Sequence, residues 1–275
     1  MGRGLKALVV AVVAAGALAA AGPAAAQAPD WAPADSATVH PGVQTFTDGG
    51  QCTANFVFYD ASDIYVGQAA HCSGTGAATD TNGCDAGSLP LGTPVEVDGA
   101  SQPGTLAYSS WIAMQQAGET DANACDYNDF ALVRLNPADH GRGNPSIPFG
   151  GGPTGVVGTT PTGAKVLSYG NSSLRGGIEQ LSPKEGVSLG QSGGGWSHSV
   201  FTVSPGVPGD SGSAFIDRQG RAFGVLATLQ IAPLAGSNGV GDVSRELAYM
   251  RSHGGPQAQL ALGTEAFRGP LLPVP

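Results

Sequence analysis

No two cysteines in this chain are spaced as Cys-x-x-Cys, and His140, His198 and His253 share no ligand spacing, so a zinc site has little to build on. Basic residues are scarce: 12 Lys plus Arg stand against 21 Asp plus Glu, a formal net charge of −9. Nucleic acid and anionic membranes are bound through basic patches, so neither is expected as a partner. The longest apolar run, residues 7–22, has 16 residues, short of the roughly 20 that cross a bilayer. A triple glycine at 193–195 is followed by no helix start, which leaves it without the frame of a phosphate-binding loop. Helical periodicity is nearly absent, and one stretch alone carries it: Asp242 as cap, Val243, Leu247 and Met250 on one face, and Gly254 as stop.

What is present begins with a leader. Arg3 and Lys6 precede the apolar run, and Ala24-Ala25-Ala26 supplies small residues for cleavage after Ala26, the pattern of a secretory signal over residues 1–26. Its removal takes Lys plus Arg from 12 to 10 against the same 21 acids, a net charge of −11. Secretion to an extracellular, oxidising compartment suits the four cysteines, Cys52, Cys72, Cys84 and Cys125, as two disulfides with three possible connectivities. With 44 Gly and 20 Pro the chain stays below the roughly 25–30% that marks disorder, and 41% hydrophobic residues suffice for a core. Residues 27–47 are expected as a polar arm and 254–275 as an exposed tail. Between them, short β-forming runs alternate with turn residues: 52–59, 64–67, 94–97, 104–114, 130–135, 164–169, 178–181, 186–189, 199–203, 214–217 and 222–229. This spacing predicts an all-β class, a sandwich or barrel, with one helix.

The stretch from Ser204 to Phe215, containing Gly209-Asp210-Ser211-Gly212, places a serine between glycines in a turn that runs into a strand. Glycine there lets backbone and substrate approach closely, and the N–H groups of Gly209 and Ser211 form a candidate oxyanion hole. A serine hydroxyl is a weak nucleophile until a base takes its proton and a third group orients that base. His71 in Ala69-Ala70-His71-Cys72 and Asp129 in Asn128-Asp129-Phe130-Ala131-Leu132-Val133-Arg134-Leu135 are the candidates. Asp121 and Asp126 lie in a polar loop and read as solvated acids. Asp129 abuts an apolar strand, where a carboxylate is tolerated only if something bonds it. Arg134 reads as the exposed end of that strand.

These three segments, in the order His, Asp, Ser, resemble the chymotrypsin-like serine peptidases. The resemblance spans roughly residues 52–253 and is looser between the motifs. It implies two six-stranded antiparallel β-barrels with a C-terminal α-helix, a peptidase domain over 48–253, and substrate bound between barrels that carry His71 with Asp129 and Ser211 respectively. It also implies an endopeptidase that cuts protein or peptide substrates through an acyl-enzyme without metal or organic cofactor, and a monomer is expected. Cys52 is implied to pair with Cys72, which leaves Cys84 with Cys125. Trypsin-type members pair the Asp before the nucleophile with a new N-terminal ammonium; no Ile-Val-Gly-Gly type start precedes Cys52, so Asp210 is expected to be satisfied internally, by an Arg or backbone donors. The pocket position six residues before the nucleophile is Pro205, and Ala227, Thr228 and Leu229 are the expected opposite wall, which together imply cleavage after small or medium apolar residues. Two other readings share the fold: a catalytically silent binding protein and an esterase. An α/β-hydrolase has its nucleophile first, the wrong order here.

Overall fold

The computed structural model describes residues 26–48, 50–77, 80–230 and 233–269, together with Met1; the expected leader lies outside these apart from its two end residues. Branched and aromatic runs broken by Gly, Pro and Asp turns pair into two antiparallel sheets. In chain order the first half holds β1 (Gln44–Thr47), β2 (Gly50–Thr53), β3 (Val57–Tyr59), β4 (Ile64–Gln68), β5 (Pro94–Val97), β6 (Gly104–Ser109), α1 (Ser110–Ala117), α2 (Ala122–Tyr127) and β7 (Ala131–Arg134). The second half holds β8 (Gly155–Val156), β9 (Lys165–Tyr169), β10 (Pro183–Ser192), β11 (Ser197–Thr202), β12 (Ala214–Asp217), β13 (Arg221–Gln230), β14 (Ser237–Asp242) and α3 (Val243–Ser252), and β15 (Gln259–Leu260) returns to the first.

The second sheet runs β12-β9-β10-β11-β14-β13, and the pairing of β12 with β13 closes it into a six-stranded barrel, with β8 added parallel to β13. The first runs β15-β3-β4-β7-β6-β5-β1-β2 and stays open, a curled eight-stranded half-barrel in place of the expected closed six-stranded one. The reason lies at its edges. β15 caps one, pairing Leu260 with Phe58. At the other, β2 gives its hydrogen bonding to the second half: Thr53 N–H donates to Ser211 O at 2.8 Å and Thr53 Oγ1 to Gly209 O at 2.7 Å. The edge that would close the barrel is thereby spent on the turn that carries Ser211.

One core cluster runs through both halves, from Phe58 and Phe130, whose rings meet edge-on at 5.6 Å, to Leu167, Val225, Leu247 and Met250. A smaller one, with Val166, Val200, Phe215, Phe223 and Val240, fills the closed barrel. Helix α3 forms as expected: Asp242 accepts from Arg245 N–H at 3.0 Å, Val243, Leu247 and Met250 are buried, and Gly254 follows at φ +77. Arg134 is exposed at the end of β7.

Several elements differ from expectation. The run 104–114 is a strand only to Ser109. Ser110 donates its N–H to Phe130 O at 2.8 Å and its hydroxyl to Asn128 O at 2.7 Å, and the Ala, Met and Gln that follow favour a helix, α1, stopped by Gly118 at φ +65. The acidic loop after it winds into α2, capped by Asp121, which accepts from Asn123 N–H at 2.9 Å. Residues 179–181 form a 3-10 turn instead of a strand. The Gly-rich β14 carried no strand signal, yet it is buried throughout and pairs on both sides, with β11 and β13. The stretch 27–47, read as an arm, contributes β1 and docks through Ala32 N–H on Gly143 O at 3.0 Å; the stretch 254–275, read as an exposed tail, contributes β15 and buries Ala258 and Ala261.

Both disulfides are as expected, Cys52–Cys72 and Cys84–Cys125. The second spans 41 residues and ties α2 to the preceding loop. Replacing Cys84 and Cys125 together by alanine is expected to lower the unfolding free energy by about 2–4 kcal/mol, read from the guanidinium midpoint; an unmoved midpoint would show that this tie adds no stability.

Candidate active site

His71 sits in a 3-10 turn, Ala70–Ser73, directly after β4. The turn is tight because Ala69 and Ala70 are small enough to be wholly buried, because Ser73 Oγ donates to Ala70 O at 2.9 Å, and because Cys72 is tied to β2. Asp129 precedes β7 at the end of the segment that α1 and α2 pack in place. Its two oxygens take the two N–H groups of one residue: Oδ1 accepts from the His71 backbone at 2.8 Å and Oδ2 bonds His71 Nδ1 at 2.6 Å. A carboxylate only accepts, so Nδ1 carries the proton and Nε2 is left as the acceptor of the ring. Asp121 and Asp126 are both exposed, one a helix cap and the other 3.3 Å from Asn82 Nδ2.

Burial opposes charge on the His71 imidazole, and the Asp129 carboxylate, through its charge and hydrogen bond, outweighs burial, so the pKa stands above its ordinary 6.5. Asp129 N–H in turn meets Glu246 Oε1 of α3 at 3.4 Å. Glu246 is fully buried, and its burial, with the neighbouring carboxylates of Asp129 and Asp242, raises its pKa well above the usual range. The surroundings of Glu246 thus disfavour a second negative charge behind Asp129. Asp242 is buried on His198 Nε2 at 2.9 Å.

The turn that carries Ser211 lies against the strands that lead into the His71 turn. Gly212 has φ +86, and a Cβ there would lie 2.6 Å from Thr53 O and 2.9 Å from Ala69 N. Only glycine lets the nucleophile turn lie so near the strand that ends in the histidine turn. Gly209, at φ +94, is equally crowded: a Cβ would lie 2.1 Å from Gln51 Oε1. In the turn, Asp210 N–H donates to Val207 O at 2.9 Å, while the N–H groups of Gly209 and Ser211 on either side donate to no protein group among the described residues. Two free donors, one on the candidate serine and one two residues before it, are what an oxyanion needs.

Asp210 is wholly buried, and its satisfaction is internal, as expected. The Arg175 guanidinium pairs with Oδ2, Ser172 N–H donates to Oδ1 at 3.1 Å and Val207 N–H to Oδ2 at 3.1 Å. Lys184 adds its ammonium at 2.9 Å. Nothing in the sequence marked Lys184, because a lysine in Pro183-Lys184-Glu185-Gly186 has the look of a solvated turn. Glu246 was missed for the same reason, as a charge in a helix with no apolar signal of its own.

His71, Ser211 and Gly209 face one cleft of about 860 Å³. One wall is Gly206, Val207 and Pro208, the other Leu226, Ala227, Thr228 and Leu229. Pro205 is not among the cleft residues; its carbonyl is turned to Lys184 Nζ at 2.7 Å. The charged side chains that line the cleft besides His71 are Asp48 and Asp80. Among the described residues, the one group of His, Cys, Asp or Glu close enough to hold a cation is Cys52, His71 and Cys72, whose two sulfurs are already bonded to each other. A second groove of about 840 Å³, between residues 31–40 and 264–268, holds none of His71, Asp129 or Ser211.

Two antiparallel β-halves with a cleft between them, the histidine and acid on one and the serine on the other, are the architecture of the chymotrypsin-like serine proteases, and the chain has their fold. It is similar to Thermobifida fusca protease A, with a TM-score of 0.52 and 17% identity over 82% of this chain and 99% of that one. It is also similar to a Nocardiopsis protease (TM-score 0.50, 18% identity, 81% and 98% covered) and to a glutamic-acid-specific serine protease that uses a histidine triad in substrate binding (TM-score 0.50, 15% identity, 81% and 100% covered). No model of a known protein family matches the chain, and no curated protein matches it by sequence. At such identities the likeness establishes the fold alone.

The His71 environment has a direct consequence for pH. A base must be neutral to accept a proton, so turnover is expected to be lost as pH falls through the raised His71 pKa, with a midpoint above 6.5. The same shift stabilises the folded chain below the unfolded imidazole pKa, a contribution lost as pH rises through the folded one. A ring titration followed by NMR in Ser211→Ala checks this: the midpoint should lie above 6.5 and fall when Asp129→Asn is added. A midpoint that ignores Asp129→Asn removes the pair from the explanation.

Proposed function

We propose that the chain is a secreted serine endopeptidase that hydrolyses peptide bonds through Ser211, His71 and Asp129. The observation that carries this reading is the double engagement of Asp129 by the ring and backbone of His71, in the cleft that Ser211 shares. Ser211 Oγ attacks the scissile carbonyl while His71 Nε2 takes its proton. The tetrahedral oxyanion receives the N–H groups of Gly209 and Ser211, and Asp129 holds the ring in the required tautomer and stabilises the imidazolium. His71 then protonates the leaving amine. Water, deprotonated by His71, releases the acyl group from Ser211. The leader and the two disulfides support passage to an oxidising exterior. Because Asp210 is satisfied by Arg175, Lys184 and backbone, no new N-terminal ammonium is required, and removal of the leader suffices for activity.

A protein that merely keeps the fold has no need for free oxyanion donors or an oriented imidazole. A fluorophosphonate probe separates the two: a folded enzyme is labelled at Ser211, and a folded chain that stays unlabelled is a binding protein. Ser211→Ala, His71→Ala and Asp129→Ala are each expected to cost roughly 10⁴-fold in kcat, and the double variants little more, because the residues act as a unit. Asp126→Ala should be neutral, and loss of activity there with retention in Asp129→Ala would reverse the assignment of the acid.

The walls of the cleft support cleavage after small or medium apolar residues. Gly206, Val207, Pro208, Leu226, Ala227, Thr228 and Leu229 carry no charge, and Leu229, 60% exposed, narrows the mouth. Asp242, the acid that follows the second wall in the chain, is buried on His198 and the start of α3 and does not line the cleft. Nor does the cleft hold a histidine other than His71 to receive a carboxylate. A peptide-library digest should therefore show Ala, Val or Leu at the cleaved position. Strong selection for Arg, Lys or Glu would overturn this pocket.

A further inference from the structure

Lys184 is among the largest side chains that are fully buried, and catalysis as described above does not use it. An ammonium group has three protons to donate and no acceptor capacity, and removing it from water is costly unless each is matched. Here each has a partner: Asp210 Oδ2 at 2.9 Å, Pro205 O at 2.7 Å and Ser204 O at 3.2 Å. The fit is close. A Cβ on Gly170 would lie 2.5 Å from Asp210 Oδ1 and 2.9 Å from Lys184 Cε. The side chain stands on β10, where Lys184 pairs with Ser168 of β9, so a regular strand of the closed barrel fixes its origin.

The identity of the three partners is what gives the residue a role. Asp210 lies between the two amides that form the oxyanion hole, and its own N–H and carbonyl set the turn by bonding Val207 O and receiving Ser213 N–H at 3.0 Å. Ser204 and Pro205 begin the segment whose next residues, Gly206, Val207 and Pro208, are one wall of the substrate cleft. Arg175, the other cation on Asp210, donates besides to Gly170 O and, among the described residues, is hydrogen-bonded to no wall residue directly; it meets the wall through Asp210 Oδ2, which receives Val207 N–H. One cation thus reaches the wall through Asp210 alone, and the other bonds both the turn and the start of the wall segment directly.

We propose that Lys184 is a positioning residue that sets the oxyanion turn and the substrate pocket as one unit, so that binding and turnover are tuned through a single buried ammonium. The proposal rests on the peptidase reading for its kinetic consequences but not for its structural one. In Lys184→Met, Asp210 keeps Arg175 and its backbone donors, and Ser204 O keeps the Thr202 hydroxyl at 2.8 Å, so folding has a path without the ammonium. Pro205 O loses its donor.

The test compares Lys184→Met with Arg175→Met, each checked for intact disulfides and a cooperative melt. Lys184→Met is expected to lower kcat about 100-fold, in the range of a lost oxyanion donor, and to raise KM about tenfold, the size of one hydrogen bond to a charge. Arg175→Met is expected to lower kcat with KM within about twofold. A folded Lys184→Met with an unchanged KM overturns the coupling. Amide hydrogen exchange in the unaltered protein gives an arm free of activity and of the variants' folding: the bonded amides of Gly206 and Val207 and those of Asp210, Gly212 and Ser213 should open in one step with the same protection. Independent opening of the two segments overturns the proposal even if the enzyme is active, and common opening upholds it even if Ser211 proves unreactive.

Discussion

The folded site depends on Thr53. It is fully buried at the end of β2, and in a space of one residue it donates its N–H to Ser211 O, donates its hydroxyl to Gly209 O, and accepts Asn171 N–H at 3.0 Å. These bonds are the seam between the halves. They use the sheet edge that would otherwise need covering, since an unpaired strand edge is both unsatisfied and prone to pair elsewhere. They also place the nucleophile turn against the strand pair that leads, through Cys52–Cys72 and Ala69, to His71. The first sheet remains open and the site exists for the same reason.

Buried charge in this molecule is sorted by what it faces. Asp129 is bonded twice by one residue, while burial and the two carboxylates nearby raise the pKa of Glu246, beside it, well above the usual range. A second ionised group there would compete with Asp129 for the imidazolium of His71. Asp242 is shared between His198 and the first turn of α3, which keeps it out of the cleft. Asp210 takes two cations, Arg175 and Lys184, with two backbone donors. The buried charges are thus paired beneath the cleft, whose walls at 206–208 and 226–229 are uncharged and whose lining acids are Asp48 and Asp80.

The helices α1 and α2 show how a polar loop can have a structural task. They occupy the stretch before Asp129, are tied back by Cys84–Cys125, and end in Asn128, whose carbonyl takes the Ser110 hydroxyl. Ser110 Oγ then accepts Phe130 N–H at 3.0 Å. Asp129 is in this way clamped from both sides before its side chain makes any bond.

Local chemistry was enough to find much of this. Most of the β-forming runs, the helix from Asp242 to Gly254, the pairing of His71 with Asp129 and the internal satisfaction of Asp210 were legible because each rests on residue type and near spacing. The strands missed are instructive in the opposite sense. β14 has the composition Ser-Asn-Gly-Val-Gly-Asp, and β1 and β15 are two to four residues long with no period of their own. β1 is paired on both sides by β2 and β5, β14 by β13 and β11, and β15 by β3, so pairing and not propensity makes them strands. The charged residues Lys184 and Glu246 have the composition of a surface, and their burial follows from partners 26 and 117 positions away, at Asp210 and Asp129. The open first sheet belongs with them. Whether a sheet closes depends on which groups reach its last edge, and Ser211 reaches Thr53 across more than half the chain. Residue types and their order thus pick out the candidate groups, whereas the field around those groups and the path that joins them arise only when distant segments compete for the same buried donors and acceptors.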